Sequence, residues 1–261
     1  MKRTLTTVDL NMFPTPFWGI LENARVYDSS CSPEARVWFV DREGGYYLKS
    51  APHGTLAREA EMTRYFHRKG LAAQVLDYVS AERDFLLTAR LEGEDCTHAT
   101  YTAEPARLCD LLATTLRALH EMPCADCPVP DRTGEYLTTV EENYRKGLFD
   151  TAYLPPACRG MTADEAWRLV AAEGGRLRRD VLLHGDYCLP NILLDGWRFS
   201  GFIDLDHAGV GDRHIDLFWG VWTLEFNLKT DRYADRFLDA YGRDAVDTEL
   251  LRVIGAAECF G

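Results

Sequence analysis

The stretch HGDYCLPNILLDGWRFSGFIDLDHAG, residues 184–209, places two carboxylates and an amide on turns beside short apolar runs. Asp186 follows the run VLLHG, Asn191 comes after a turn that contains Pro190, and Asp204 ends the run FSGFID. Burying a carboxylate costs free energy unless a metal ion or a cationic group compensates its charge. A loop followed by a β-hairpin can bring Asn191 and Asp204 to one metal ion, while Asp186 faces a substrate.

This combination of residue types fits phosphoryl transfer. In such a site, one carboxylate orients the attacking hydroxyl and accepts its proton. An amide oxygen and a second carboxylate hold Mg²⁺ against the nucleotide phosphates. The order aspartate, asparagine, aspartate in residues 184–209 matches that requirement.

A site of this kind also needs a lysine that contacts phosphate and is held by a helix glutamate. Lys49 ends a predicted β-strand, and the following segment TLAREAEM offers Glu59 and Glu61. Glu59 lies three positions after Leu56 and seven before Phe66, on the apolar face of the predicted helix, whereas Glu61 points away from that face. Because a carboxylate on a buried face needs a cation, we predict that Glu59 pairs with Lys49.

The elements before residue 91 are predicted to be strands with one helix among them. The β-rich runs at 35–40 and 44–50 are joined by DREGG and predict a hairpin. A helix follows, with Thr55 as the expected N-cap and Gly70 as its stop. AQVLDYVS and DFLLTA predict two more strands, and LEGED at 91–95 is predicted to be a linker.

Beyond the linker the pattern becomes helical. PARLCDLLATTLRALHEM spaces its leucines for one helical face, and three amphipathic helices are predicted around 214–227, 231–241 and 244–258. Short strands are predicted at VLLH, ILL and FSGFID. These patterns predict an α+β fold with a small β-rich nucleotide-binding lobe over 1–90 and a larger, mostly helical catalytic and substrate-binding lobe over 91–261.

Composition narrows the class of partner. The chain has 261 residues, of which 46% are hydrophobic and 27% charged, as in an ordinary globular protein. No apolar run approaches the roughly 18 residues that a membrane span needs, and the first residues lack the apolar core of a signal peptide. We therefore expect a cytoplasmic protein that does not engage a membrane. A net charge of −12 argues against nucleic acid as a partner. It suits a cationic substrate if the acids line a cleft, and it is equally accounted for by simple solubility, so both interpretations stay open.

HGDYCLPN resembles the catalytic loop of the aminoglycoside phosphotransferases, a branch of the protein-kinase-like fold, and GFIDLDHAGVGDRHID resembles that family's metal-binding segment. The co-linear match extends from about Ser32 to Phe260 and is closest to the 3′-phosphotransferase subgroup. The resemblance implies a two-lobed protein-kinase-like fold, with Asp186 as the catalytic base and Asn191 and Asp204 as Mg²⁺ ligands. It also implies ATP or GTP as the phosphate donor.

The resemblance assigns further residues on the nucleotide side. No G-x-G-x-x-G loop precedes Lys49, but Ser32 and Pro33 match the serine-containing turn of the family, whose backbone amides can contact phosphate. FLLTARLEG matches the hinge segment, which implies that adenine lies against main-chain groups near Ala89 and Leu91.

The same resemblance assigns supporting residues around the catalytic loop. Asp216 matches an aspartate that begins a helix and braces that loop. His184 is expected to support the loop through hydrogen bonds, and Cys188 to be a packed thiol.

The substrate side departs from the family. FDTAYLPPACRG at 149–160 is nearly devoid of acids where relatives carry them, and Asp206 and His207 replace the usual Gly-Arg. Glu258 and Phe260 are retained near the C-terminus. We therefore expect Asp206, Glu258 and Phe260 to contact a cationic antibiotic, an aminoglycoside phosphorylated at its 3′ hydroxyl, with drug resistance as the outcome.

Four alternatives stay open at this point. The depleted acidic segment is compatible with a related small-molecule kinase that acts on another alcohol, such as a macrolide, choline or a sugar. A catalytically silent nucleotide-binding protein and a protein kinase are the second and third. The fourth is a metal-dependent hydrolase with a two-metal cluster, built from His184, Asp186, Asp204, Asp206, His207, His214 and Asp216.

Overall fold

A computed structural model describes residues 3–31, Pro33 and residues 35–261. Ser32, the predicted phosphate contact, lies outside the described residues. Strands and helices are numbered here along the chain. The mixture of helices and antiparallel sheets confirms the predicted α+β class.

The described chain packs into two compact units. The first holds the residues up to His98 together with residues 190–206, and the second holds 99–189 and 207–261. The hairpin that carries Asp204 thus belongs to the first unit although it is late in the sequence. The functional lobes predicted on either side of residue 91 remain a prediction.

The first unit is built on a six-stranded antiparallel sheet of order β1-β2-β3-β4-β6-β5. Its strands are β1 Thr4–Thr6, β2 Arg25–Asp28, β3 Arg36–Asp41, β4 Tyr46–Pro52, β5 Val75–Ser80 and β6 Arg83–Ala89. The predicted hairpin is confirmed, since β3 and β4 pair antiparallel with Val37 opposite Lys49. Strand residues alternate sides, so Trp38, Val40 and Leu48 pack into one apolar core with the first helix, α1 Trp18–Leu21.

Helix α2, Ala57–Arg68, starts differently from the prediction. Leu56 rather than Thr55 is the N-cap residue, and the Thr55 hydroxyl instead donates to the last carbonyl of β4. The N–H of Leu56 is bonded to a carboxylate oxygen of Asp84 at 2.9 Å. The cap therefore comes from β6 rather than from the segment before the helix. Gly70 follows the helix with φ +73°, as expected of a residue that ends it.

A three-stranded sheet of order β10-β9-β7 completes the first unit. It consists of β7 Glu94–Asp95, β9 Ile192–Asp195 and β10 Arg198–Phe202. The prediction that residues 91–95 form only a linker is therefore wrong for the last two of them, which pair with β9. Such pairing needs a partner about a hundred residues away, and local composition does not show it.

The second unit is mostly helical. Its helices are α3 Ala99–Thr102, α4 Pro105–His120, α5 Arg132–Arg145, α6 Pro156–Arg159, α7 Ala163–Glu173, α8 Arg213–Leu228, α9 Ala234–Tyr241 and α10 Thr248–Ala257. Strand β8, Val181–Leu183, pairs with β11, Gly209–Gly211. The three helices predicted at the end of the sequence are confirmed as α8, α9 and α10. Helix α4 packs against α8 and α9, and α10 packs against α7 and α8.

In the part of the chain that is described, no helix has both the length and the apolar character that crossing a bilayer requires.

Asp84 is the buried anchor of helix α2. Besides the amide of Leu56, its carboxylate accepts hydrogen bonds from the hydroxyls of Tyr78 at 2.9 Å and Ser80 at 2.7 Å. Burial opposes ionisation, but the hydrogen bonds from Ser80 and from the backbone amides of Gly54 and Leu56 lower the pKa of Asp84 from 3.8 to about 2. The helix that carries Glu59 thus begins on a charged acceptor.

We predict that Asp84→Asn destabilises the protein by about 1–3 kcal/mol at neutral pH, because buried donors lose a charged acceptor. The pKa of Asp84 is lower in the folded state. Its contribution is therefore complete above the unfolded value near 4 and is lost as pH falls toward about 2. Urea unfolding between pH 2 and pH 6 measures this. If the unfolding free energy of the variant equals that of the unsubstituted protein at every pH, Asp84 does not anchor the helix.

Candidate active site

The first unit places Lys49 between two carboxylates. The Lys49 ammonium lies 2.8 Å from Oε2 of Glu59 and 2.6 Å from Oδ1 of Asp204. The Lys49 and Glu59 side chains are 20% and 7% exposed, while that of Asp204 is 47% exposed. The predicted ion pair between Lys49 and Glu59 is present, and the contact with Asp204 adds the metal-binding candidate to it.

The electrostatics of this cluster leave it with surplus negative charge. Burial lowers the pKa of Lys49, but the carboxylates of Asp204 and Glu59 outweigh it and raise that pKa above its ordinary value. Burial raises the pKa of Glu59; Lys49 opposes this, and the charges of Asp204 and Asp206 add to it. One ammonium thus faces several carboxyl groups, and a bound divalent cation would neutralise the remaining negative charge.

The donor set around Asp204 fits Mg²⁺. Asn191 ends a short 3₁₀ turn, Leu189–Asn191, and is 6% exposed. Its carbonyl accepts a hydrogen bond from the N–H of Ile203 at 3.0 Å, so the backbone at Asn191 adjoins the residue that precedes Asp204. Asp204 itself has φ 56°, in the left-handed region. An amide oxygen and a carboxylate oxygen are the hard donors that Mg²⁺ prefers.

Two further nucleotide-side candidates, Ala89 and Leu91, and the acceptor-side candidate Asp206 also belong to the first unit. Ala89 is the last residue of β6, and its N–H donates to the carbonyl of Gln74 at 2.9 Å. The side chain of Leu91 packs so closely on Gly201 that a Cβ there would lie 2.7 Å from Leu91 Cδ1. Asp206 follows Asp204 and is partly exposed. Adenine contacts at Ala89 and Leu91 and an acceptor contact at Asp206 remain predictions.

In the second unit, a buried carboxylate holds the loop that carries Asp186. Asp216 lies in the first turn of α8 and is 0% exposed. Its Oδ2 accepts from the N–H of His184 at 2.8 Å, and its Oδ1 accepts from the N–H of Gly185 at 2.7 Å. His184 in turn accepts from the N–H of Asp186 through Nδ1 at 3.3 Å. The supporting contacts expected of His184 and Asp216 are therefore present.

Gly185 is needed where this loop crosses the segment after Asp206. It has φ +85°, and a Cβ there would lie 2.0 Å from the carbonyl oxygen of His207. That same oxygen accepts a hydrogen bond from Nε of Arg132 at 2.9 Å, and another guanidinium nitrogen of Arg132 lies 2.9 Å from Nδ1 of His207. Sequence patterns gave no signal for Arg132, because its partner lies 75 residues away.

Glu258 lies within electrostatic reach of Asp186. Burial raises the pKa of Glu258, hydrogen bonds from Tyr136 and Trp219 lower it, and the charge of Asp186 raises it; the net pKa is about 7. The Tyr136 hydroxyl donates to Oε1 of Glu258 at 2.8 Å. A substrate contact by Glu258 remains a prediction. Burial also raises the pKa of the Cys188 thiol, which is the packed group expected.

Phe260 is buried, unlike a residue that is open to a substrate. Its ring is 3% exposed and packs against Tyr144 and Phe149, with centroids 5.7 and 5.6 Å away. Its carbonyl accepts from the side-chain amide of Asn143 at 2.8 Å. A substrate contact by Phe260 remains a prediction.

Several residues that the hydrolase alternative would use as metal ligands make structural hydrogen bonds instead. Both oxygens of Asp216 accept backbone amides. His214 bonds Asp212 through Nδ1 at 2.6 Å, and its Nε2 accepts from the N–H of Asp247 at 2.9 Å. These groups hold the start of α8 in place, which disfavours their use as ligands of a two-metal cluster.

Comparison with known proteins agrees with this arrangement. The model of the phosphotransferase enzyme family matches residues 28–253. A probable aminoglycoside 3′-phosphotransferase of Lactococcus lactis subsp. lactis is 49% identical over 97% of this chain and 97% of its own length. An aminoglycoside 3′-phosphotransferase of Niallia circulans is 32% identical over 79% of this chain and 80% of its own length.

Solved structures show the same fold. An aminoglycoside phosphotransferase of Streptomyces rimosus superposes with a TM-score of 0.76 at 25% identity, covering 97% of this chain and 99% of its own. The family model covers most of the sequence, and the relative from Lactococcus lactis matches it nearly end to end. The chain therefore belongs to the phosphotransferase enzyme family.

Proposed function

We propose that the protein transfers the γ-phosphate of ATP, with GTP as a second possible donor, to a hydroxyl of an aminoglycoside antibiotic. The proposed acceptor group is the 3′ hydroxyl. The proposed role is drug resistance, and the proposed location of the protein is the cytoplasm. The names of the similar proteins support the substrate class. The observation that carries the proposal is the Lys49 ammonium held by Glu59 and Asp204, a cluster suited to triphosphate and Mg²⁺.

In this proposal, the first unit binds the nucleotide. Lys49 contacts the α- and β-phosphate oxygens, and Glu59 keeps its side chain extended from β4. Asn191 and Asp204 would hold Mg²⁺, which when bound neutralises charge on the phosphates. Ser32, Ala89 and Leu91 are the proposed additional nucleotide contacts, within a nucleotide-binding lobe over 1–90.

The lobe over 91–261 is proposed to supply the chemistry at the acceptor. Asp186 orients the hydroxyl and takes its proton late in the transfer, because such transition states are loose and depend more on position than on basicity. The amides of His184 and Gly185, fixed by Asp216, keep Asp186 in that position. Asp206, Glu258 and Phe260 are the proposed acceptor contacts.

The acceptor class is tested by offering the purified protein, ATP and Mg²⁺ a panel of 2-deoxystreptamine antibiotics. Mass spectrometry should show one added phosphate, and congeners that lack the 3′ hydroxyl should remain unmodified. Macrolides, choline and simple sugars form the comparison panel, because segment 149–160 carries a single acid, Asp150. If only compounds of this comparison panel are phosphorylated, the proposal is wrong and the protein is the alternative small-molecule kinase.

The base is tested by Asp186→Ala. We expect kcat to fall by about 10²–10⁴-fold, the usual contribution of a positioned acid or base, while the affinity for MgATP changes little. Asp195→Ala, which removes an exposed carboxylate at the end of β9, is the matched control. Turnover within a few-fold of the unsubstituted protein would rule out the role of Asp186.

Two glutamates on α2 form a natural pair for testing the lysine. Glu59→Gln should raise the KM for ATP about tenfold or more, since Lys49 loses a charge-assisted hydrogen bond of about 1.5–3 kcal/mol. Glu61→Gln removes the same charge from the exposed face and should leave the KM for ATP unchanged. Equal effects of the two changes on nucleotide binding would mean that net charge, rather than the ion pair, matters.

A further inference from the structure

Asp186 and Cys188 lie side by side in a tight turn of the second unit. The N–H of Cys188 donates to the carbonyl of Asp186 at 2.8 Å. Cys188 is buried, with 7% of its surface exposed, whereas Asp186 is partly exposed. The thiol of Cys188 also hydrogen-bonds the carboxylate of Asp186. A buried thiol thus contacts the side chain that is proposed as the base.

Helix α8 supplies a second partner for this thiol. Thr223, which is 1% exposed, hydrogen-bonds the Cys188 thiol through its hydroxyl. The same hydroxyl oxygen accepts from the N–H of Leu189 at 3.0 Å. Thr223 therefore contacts two successive residues of the loop, one through its side chain and one through its backbone.

Asn227, one turn further along α8, determines how the Thr223 hydroxyl is used. Its side-chain nitrogen lies 2.8 Å from the carbonyl oxygen of Thr223 and 3.1 Å from the hydroxyl oxygen. A carbonyl oxygen only accepts hydrogen bonds, so Asn227 presents the N–H groups of its amide to Thr223. The Thr223 hydroxyl oxygen therefore accepts two hydrogen bonds, one from Asn227 and one from Leu189.

These contacts leave one direction for the remaining hydrogen bonds. A threonine hydroxyl has two lone pairs and one proton. Both lone pairs of Thr223 are in use, so its proton is directed to the sulfur of Cys188. The proton of Cys188 is then available to Asp186, because an ionised carboxylate only accepts. Burial and the charge of Asp186 raise the pKa of the Cys188 thiol, which favours the protonated form that donates.

From this chain of contacts we infer that Cys188 is a positioning residue for the base: its thiol donates to the Asp186 carboxylate, and Thr223 and Asn227 hold the thiol in place. The inference rests on the proposed function and deepens it. The hydrogen bond occupies one carboxylate oxygen and leaves the other for the acceptor hydroxyl. Because phosphoryl transfer depends on position more than on basicity, a carboxylate held in this way needs no reorientation before transfer.

The positioning role is tested by removing and then restoring the donor, with whichever acceptor is phosphorylated. Cys188→Ala should lower kcat about tenfold, as expected for the loss of a hydrogen bond to a charged group, and should leave the KM for ATP and for the acceptor unchanged. Cys188→Ser restores a donor and should recover most of the lost kcat. Equal losses of kcat in both variants, or a KM for ATP that rises as kcat falls, would mean that Cys188 only fills space in the loop.

Two further variants test the chain of contacts. Thr223→Val removes the hydroxyl with little change of shape and should lower kcat by a smaller factor in the Cys188→Ala background than in the unsubstituted protein. Factors that multiply independently in the double variant would overturn the inference. Cys109→Ala is the control for loss of a buried thiol. The sulfur of Cys109 lies 3.5 Å from the carbonyl of Tyr233, and this variant should leave kcat unchanged.

Infrared spectroscopy tests the hydrogen bond without turnover. The S–H stretching band of Cys188 is identified as the band that Cys188→Ala removes, and donation to a carboxylate lowers its frequency. Asp186→Ala should move this band to higher frequency, whereas Asp195→Ala should leave it in place. If the band shifts as expected and no compound of either panel is phosphorylated, the hydrogen bond stands and the proposed function is wrong. If aminoglycosides are phosphorylated and the band does not respond to Asp186→Ala, only the inference about Cys188 is wrong.

Discussion

One ammonium shared by two carboxylates organises the first unit. Lys49 on β4 touches Glu59 on α2 and Asp204, 155 positions later in the chain, just after β10. A buried ammonium costs free energy unless anionic groups surround it, so the sheet, the helix and the late hairpin must keep their positions for the cluster to stay balanced. The pairing of β9 with β7 also joins the late hairpin to this unit.

The second unit depends on a different buried charge. Asp216 accepts two successive backbone amides from the loop before Asp186, and His120 lies 3.2 Å from its Oδ2. A carboxylate removed from water needs such donors, and these donors fix the path of the loop. Asp186 can then remain partly exposed while its backbone is held, which is the combination that a residue acting on a substrate hydroxyl requires.

The acceptor side shows how the chain departs from its family. Segment 149–160 is nearly devoid of the acids that usually meet a polycation, with Asp150 as its single carboxylate. Helix α8 places aromatic rings beside this segment: the indole of Trp222 donates to the carbonyl of Tyr153 at 2.6 Å, and its ring stacks on that of Phe226. Ammonium groups are attracted to the face of an aromatic ring.

Much of this architecture follows from short-range patterns. A few neighbouring residues determine strand alternation, the apolar face of α2 and the order of Asp186, Asn191 and Asp204. These patterns predicted the fold class, most of the elements and the pairing of Lys49 with Glu59. Other features depend on the path of the whole chain. The amide of Leu56 finds Asp84, the last residues of the supposed linker form β7, and the guanidinium of Arg132 finds His207. These contacts join segments that are distant in sequence, so their partners are identifiable only once packing has brought them within a few ångströms.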